Sequence, residues 1–174
     1  AGSYGREIKD ILIDVEVIDN SGSVFHVPQK ELKLQYRKNC SPRDWIFLSC
    51  NLKGEKSETS IVRSKMKEII NDRKNNQPIN KLTGGSTFKN PNKLKSWKLI
   101  DKAGCRGLVL GNAKVSEKHC NFLINNGNAL SNDIEDLGEI VRNKVLEETG
   151  VSLEWEIVRV GQKINKKSEG LYEL

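Results

Sequence analysis

Apolar and polar positions alternate with a period of two from Ile11 to Ile18, where Ile11, Ile13, Val15 and Val17 interleave with Leu12, Asp14 and Glu16. That pattern predicts a strand, and Asp19-Asn20-Ser21-Gly22 supplies turn residues before a second strand from Val24 to Val27, so a β-hairpin is expected. Pro28 closes it, and the short segment Glu31 to Tyr36 reads as one helical turn. Trp45 to Leu52, rich in aromatic and aliphatic residues, predicts a buried strand. Between Thr59 and Asn76 the period changes: Ile61, Met66, Ile69 and Ile70 fall near one helical face, charges fill the other, and Thr59 or Ser60 can cap the start. Pro78 ends this helix. Ser96 to Ala103 predicts a short helix, Leu108 to Leu110 and Phe122 to Asn125 short strands, and Val115 to His119 a polar loop or turn. The strongest helical pattern runs from Asn132 to Thr149, with Ile134, Leu137, Val141 and Val145 on one face, a Ser131 or Asn132 cap, and Gly150 at its end. Leu153 to Val160 predicts a final strand, followed by a polar tail from Gln162 to Leu174.

Strands first and helices interspersed later give an α+β fold class, with a candidate boundary in the polar linker after Pro78. A length of 174 residues with 36% hydrophobic and 30% charged residues suits one good core or two small ones. No run approaches the roughly 18 apolar residues of a membrane span, and the start has neither charged head nor apolar stretch, so a cytoplasmic location is expected. That start, Ala1-Gly2-Ser3-Tyr4-Gly5, lacks Met and reads as the middle of something longer. Cys40, Cys50, Cys105 and Cys120 are scattered without metal-ligand spacing, which argues against zinc and for free structural thiols. A net charge of +6 favours anionic partners, and lysines dispersed along the chain suit a phosphorylated small molecule as well as nucleic acid.

The densest chemistry lies in Gly84-Gly85-Ser86-Thr87-Phe88-Lys89-Asn90-Pro91. Paired glycines let the backbone approach a ligand, while Ser86, Lys89 and Asn90 offer a proton, a charge and an amide. Taken alone, the stretch also fits a Gly-rich hairpin with a solvated edge. Glu156, among apolar neighbours in Leu153 to Val158, is either a partly buried carboxylate tuned for proton or polarising work or one of two glutamates alternating toward water. Arg37 beside Tyr36 can grip a carboxylate or phosphate, although base rates favour a snorkelling surface arginine. His119 fits a ligand donor or an element end, and Lys74 in Arg73-Lys74-Asn75-Asn76 fits a solvated helix terminus.

Several motifs in a fixed order narrow these choices. The Gly84 stretch closely resembles the GSxFKNP signature of the UDP-N-acetylenolpyruvoylglucosamine reductase (MurB) family. Tyr4 to Glu7 resembles its AYGxE, Tyr36-Arg37 its YR, Arg73 to Pro78 the segment ending in QP, Ala103 to Gly107 its AGxKG, and Val115 to His119 its VSEKH. Glu154-Trp155-Glu156 resembles its terminal strand, and the spacing is similar to the shorter of the family's two classes. The resemblance implies a flavoprotein in which NADPH reduces FAD and a hydride then passes to UDP-N-acetylglucosamine enolpyruvate, giving UDP-N-acetylmuramate for the cell wall. It implies Ser86 as proton donor, and Arg37 and Glu156 as the groups that polarise the substrate carboxylate and stabilise the enolate. Tyr36, Lys74, Asn90, Arg106 and His119 become substrate-binding candidates. Residues 1–83 would then end an FAD-binding domain, 84–152 form the substrate-binding domain, and 153–174 return toward the former. Asn112, Cys120 and Val158 depart from the family's usual glycine, alanine and basic residue. Family members also carry a long FAD-binding segment before the Ala-Tyr-Gly motif, so the expectation is a fragment inactive alone, working as a monomer without nucleic acid or membrane. The rival from another class is a non-catalytic basic module for a nucleotide or RNA, disfavoured by 6% aromatic content without aromatic-basic interleaving.

Overall fold

A computed structural model describes residues 2–92 and 94–162. The chain divides into two compact units, Ala1–Arg63 and Ser64–Leu174, each an α+β or β-rich body with its own core.

Unit 1 opens with two short antiparallel strands, β1 (Gly2–Ser3) and β2 (Arg6–Glu7), joined by Tyr4 and Gly5 at φ 52° and 76°. Positive φ at both central residues matches the right-handed twist of the flanking strands. The predicted hairpin follows as β3 (Leu12–Ile18) and β4 (Val24–Pro28), pairing Val15 with Val27 and Val17 with Phe25. Its turn is built by the Asp19 carboxylate, which accepts the Ser21 hydroxyl (2.6 Å) and the backbone N–H groups of Ser23 (3.0 Å) and Ser21 (2.9 Å), and these bonds, the hydroxyl's first, hold its pKa low. Strand β5 (Ile46–Leu52) pairs with the other side of β3, giving the order β4-β3-β5. Val15, Val17, Val27 and Leu32 are buried, with Phe25 and Trp45 meeting edge to face at 5.2 Å beside them.

Strand β5 departs from its expected burial. Every residue in it is exposed, including Ile46, Phe47, Leu48 and Leu52. An edge strand has one neighbour only, and here Phe47 and Leu48 line an open groove of about 350 Å³ with Leu12, Leu32 and Leu34. Helix α1 (Thr59–Asn76) forms where its period predicts, yet none of its residues is buried.

In unit 2 an antiparallel sheet has the order β6-β9-β8-β7, from β6 (Leu82–Ser86), β7 (Val109–Leu110), β8 (Ala113–Val115) and β9 (Phe122–Asn125). Helix α3 (Ser131–Thr149) packs on it, and helix α2 (Ser96–Lys102) packs against α3. The apolar stripe of α3 does what its spacing requires: Leu137, Val141 and Val145 are fully buried against Phe88, Ile100, Val115, Leu123 and Leu153. The start of α3 differs in detail from its expected cap. Leu130 is the N-cap position, and the Asp133 carboxylate reaches back to accept its N–H at 3.2 Å. Gly150 ends the helix at φ 69°.

The expected last strand is not one. Only Trp155 pairs, in an isolated bridge with Phe88, and contacts with α3 hold the segment besides the few backbone bonds around that bridge. The Trp155 ring lies so close over Gly138 that a Cβ there would meet ring carbon Cη2 at 2.0 Å. Its Nε1 donates to Glu139 at 2.9 Å, the Arg159 guanidinium covers the ring at 4.9 Å, and Arg142 Nε donates to the Leu153 carbonyl at 2.9 Å. The expected tail falls, except for Gln162, outside the described residues. The four cysteines divide by unit: Cys40 and Cys50 are exposed in unit 1, Cys105 and Cys120 buried in unit 2. Among the described residues no helix is long and apolar enough to cross a membrane, and no cluster of His, Cys, Asp or Glu could hold a metal.

Candidate functional site

Strand β6 ends at Ser86, directly opposite Phe122 on β9. Its register shifts between Thr83 and Ser86, where Gly85 takes φ 88°, so the glycine pair bends the strand as it delivers the serine. Gly84 also permits close approach, since a Cβ would stand 3.0 Å from Ile157 Cδ1. Regular pairing stops after Ser86, and other groups take over. Thr87 donates its N–H to the Asn121 carbonyl (2.8 Å) and accepts the Leu123 N–H on its hydroxyl (3.3 Å). Phe88 donates its N–H to Asn121 Oδ1 (3.0 Å), and its carbonyl accepts from Asn121 Nδ2 (2.8 Å).

The segment carrying Glu156 lies against this same run. Glu156 donates its N–H to the Thr87 carbonyl at 2.8 Å, and two residues away Lys89 donates its N–H to the Glu154 carbonyl at 2.9 Å. Seventy positions apart in sequence, Ser86 and Glu156 therefore flank one residue, Thr87. The two glutamates differ in surroundings: Glu154 is exposed and pairs with Lys89 Nζ at 3.2 Å, while Glu156 is half-buried.

Arg37 and Tyr36 belong to unit 1. Arg37 sits in the left-handed region at φ 55°, its guanidinium 4.9 Å from the centre of the Tyr36 ring. It lines a cavity of about 320 Å³ together with Glu7, Lys9, Gln35 and Lys38. An isolated bridge between Gln35 and Lys38 frames the turn that presents both residues.

Within unit 2 the remaining candidates separate. Lys74, at the end of α1, lines a cavity of about 570 Å³ with Lys81, Lys114, Lys118, Ser116 and Asn126. Lys114 is paired with Glu117 (2.6 Å), and Lys118 Nζ donates to the Lys74 carbonyl (2.8 Å), which fixes the VSEKH turn beside the helix end. The other three are engaged in holding the fold. Asn90 Oδ1 accepts the first N–H of α2 at 2.9 Å. Arg106 pairs with Asp101 through Nε at 2.7 Å and donates to the Glu117 carbonyl, which holds the Asp101 carboxyl below its ordinary value. His119 accepts the Asn121 N–H on Nδ1 at 3.3 Å and packs edge to face on Phe122 at 4.8 Å. Burial lowers its pKa, with a further push from Arg106, so the imidazole is neutral at pH 7. Of the departures from the family pattern, Cys120 is buried with its thiol pKa pushed up to about 11 by desolvation. Asn112 donates to the Asn128 carbonyl at 3.4 Å, and Val158 is exposed. The residue that reading by motif missed is Asn121, whose partners are backbone groups 33 positions away and leave no local signal.

Residues 77–160 match the family model for the C-terminal domain of UDP-N-acetylenolpyruvoylglucosamine reductase. The reductase of that name from Paramagnetospirillum magneticum is 50% identical over 161 residues, covering 92% of this chain and 52% of the relative. That from Rickettsia prowazekii is 49% identical over 164 residues, covering 94% and 56%. The crystal structure of the Thermus caldophilus reductase superposes with a TM-score of 0.77 at 34% identity, over 90% of this chain and 56% of that one. The chain thus spans about half the length of the relatives it matches. The match to the C-terminal domain of these reductases spans residues 77–160, and the similarity to the enzymes extends over nearly the whole chain.

Proposed function

We propose that this chain is the substrate-facing part of a reductase that converts UDP-N-acetylglucosamine enolpyruvate to UDP-N-acetylmuramate in the cytoplasm, for peptidoglycan synthesis. The observation that carries the reading is the hydrogen bond from the Glu156 N–H to the Thr87 carbonyl, which brings the Glu156 backbone against the residue that follows Ser86 in a Gly-bent strand end. A hydroxyl and a carboxylate on either side of one residue suit a reaction in which a proton is delivered to carbon next to developing negative charge.

The residues present fit the substrate side of a flavin enzyme better than its diphosphate. The starts of α2 and α3 are already occupied by Asn90 and Asp133, and an acidic cap repels a phosphate. We therefore assign the flavin diphosphate to the part of the relatives' length that this chain does not span. FAD, when bound and reduced by NADPH, supplies the hydride that adds to the terminal carbon of the enolpyruvyl double bond. Negative charge then builds on the neighbouring carbon and its carboxylate. Ser86 delivers its hydroxyl proton to that carbon, completing the C–H bond, and is reprotonated from solvent. Glu156 acts on the charge that develops as a hydrogen-bond donor, through its carboxylic acid form. The lysine-lined cavity at Lys74, Lys81 and Lys118 takes the anionic diphosphate of the substrate.

The test is Ser86→Ala in the full-length enzyme. Stopped-flow absorbance of the flavin is followed once with NADPH on oxidised enzyme and once with enolpyruvyl substrate on reduced enzyme. Loss of a positioned acid slows the second step by about a hundredfold to ten-thousandfold and leaves the first nearly unchanged. Equal slowing of both steps would make Ser86 a residue of flavin positioning and refute the assignment.

A further inference from the structure

Asn121 takes no part in the chemistry above, yet it is 4% exposed and makes three hydrogen bonds to two consecutive residues, Thr87 and Phe88. We infer that Asn121 is a positioning residue for the proton-delivering hydroxyl of Ser86, an inference that rests on the proposed role of that serine. A carboxamide carries a donor and an acceptor side by side, so it can replace a missing β-strand neighbour and close both backbone groups of one residue. That is its place here. The ladder between β6 and β9 ends at the Ser86–Phe122 pair, and the next backbone groups find Asn121 instead of another strand residue. Without it, the Phe88 N–H and carbonyl lose the partner that holds them beneath the sheet, and buried groups of that kind do not stay unpaired. They would shift, and Thr87 with them.

Thr87 carries both halves of the site. It follows Ser86 directly, and its carbonyl receives the Glu156 N–H. Asn121 therefore sets where the hydroxyl lies and how far it stands from the carboxylate, although it touches neither reacting carbon nor substrate. Proton delivery to carbon is sensitive to such placement, since an error of about 1 Å can cost roughly a hundredfold in rate.

The experiment uses the full-length enzyme with bound FAD and the variants Asn121→Ala, Ser86→Ala and the double variant. In Asn121→Ala, reoxidation of reduced flavin by enolpyruvyl substrate is expected to slow at least tenfold, with flavin reduction by NADPH within twofold of the parent. In the Ser86→Ala background, adding Asn121→Ala is expected to change reoxidation by less than twofold, because a positioning residue has nothing left to position. Amide exchange at Phe88 and Glu156 should rise in Asn121→Ala while that at Val141 stays unchanged. Asn121→Asp, of the same size, replaces the alanine variant if the latter fails to fold and should show the same asymmetry between half-reactions. Equal slowing of both half-reactions, unaltered reoxidation, or multiplicative losses in the double variant would each overturn the inference. Ser86→Ala without effect overturns the acid assignment and this inference together. Ser86→Ala slow with Asn121→Ala normal overturns this inference alone.

Discussion

The two units reach burial by different means. Unit 2 packs α3 on its sheet and α2 against α3, and among the described residues gathers eleven buried residues, from Phe88 to Leu153, into one core. Unit 1 buries four, Val15, Val17, Val27 and Leu32, and leaves the whole of β5 exposed. A sheet face covered by a helix is shielded along its length, whereas in this three-stranded sheet the central strand, one edge strand and the turn after it share a small core and the other edge strand stays open. The lesson concerns where precision is available. The Ser86–Thr87–Glu156 arrangement is anchored in the denser unit, by a side-chain clamp on one side and a tryptophan seated on a helix on the other.

The comparison can be broken by making one truncation in both cores. Leu137→Ala, in a fully buried position packed from several directions, is expected to cost about 4 kcal/mol, near the upper part of the range for such changes. Leu32→Ala, at the rim of the smaller core, should cost about 2 kcal/mol because its surroundings can collapse into the space. Denaturant titration read by amide exchange in each unit gives both values, and the reverse order would sink the contrast. Gly138→Ala sharpens it from the other direction. The added methyl has no room beneath Trp155, so a loss of about 2–3 kcal/mol is expected, together with weaker protection of the Glu156 amide. Protection unchanged at Glu156 would mean that the tryptophan does not hold this segment. The smallest effect is set by acidity. Folding lowers the His119 pKa, so below the ordinary value of 6.5 the unfolded chain binds more protons than the folded one. The stability contributed by neutral His119 is thus present above pH 6.5 and is lost as pH falls through and below it. Melting of unit 2 between pH 7.5 and 5.5 should show a shallower slope in His119→Gln, and an identical slope would remove His119 as its source.

What the sequence made readable follows from how local each signal was. The stripe Leu137, Val141, Val145 on α3 repeats at helical spacing, and all three are buried. The hairpin of β3 and β4 and the bounds of α1 were equally plain, since turn residues and period lie within the segments themselves. Strand β8 was missed because it is three residues long with Lys114 at its centre, too brief for any period to register. Trp155 and its neighbours looked like a strand by composition, but a glycine on α3 and the Glu139 carboxylate decide their conformation. Burial of β5 failed for a related reason: apolar content reports a tendency, and an edge position can leave it unmet. Of the candidate site residues, Ser86 and Glu156 came from motifs, while Asn121 stayed hidden because its contacts are with distant backbone.

The division of the thiols makes the protein its own clock. Alkylating reagents attack the thiolate, so burial that pushes the Cys120 pKa up to about 11 makes that sulfur unreactive as well as inaccessible, and Cys105 is raised for the same reason. At neutral pH a small iodoacetamide reagent should add at once to Cys40 and Cys50. Further mass then accumulates only as often as unit 2 opens. The interval between the second and third adducts, read on an intact-mass spectrum, measures the lifetime of the folded site without any ligand, dye or substrate.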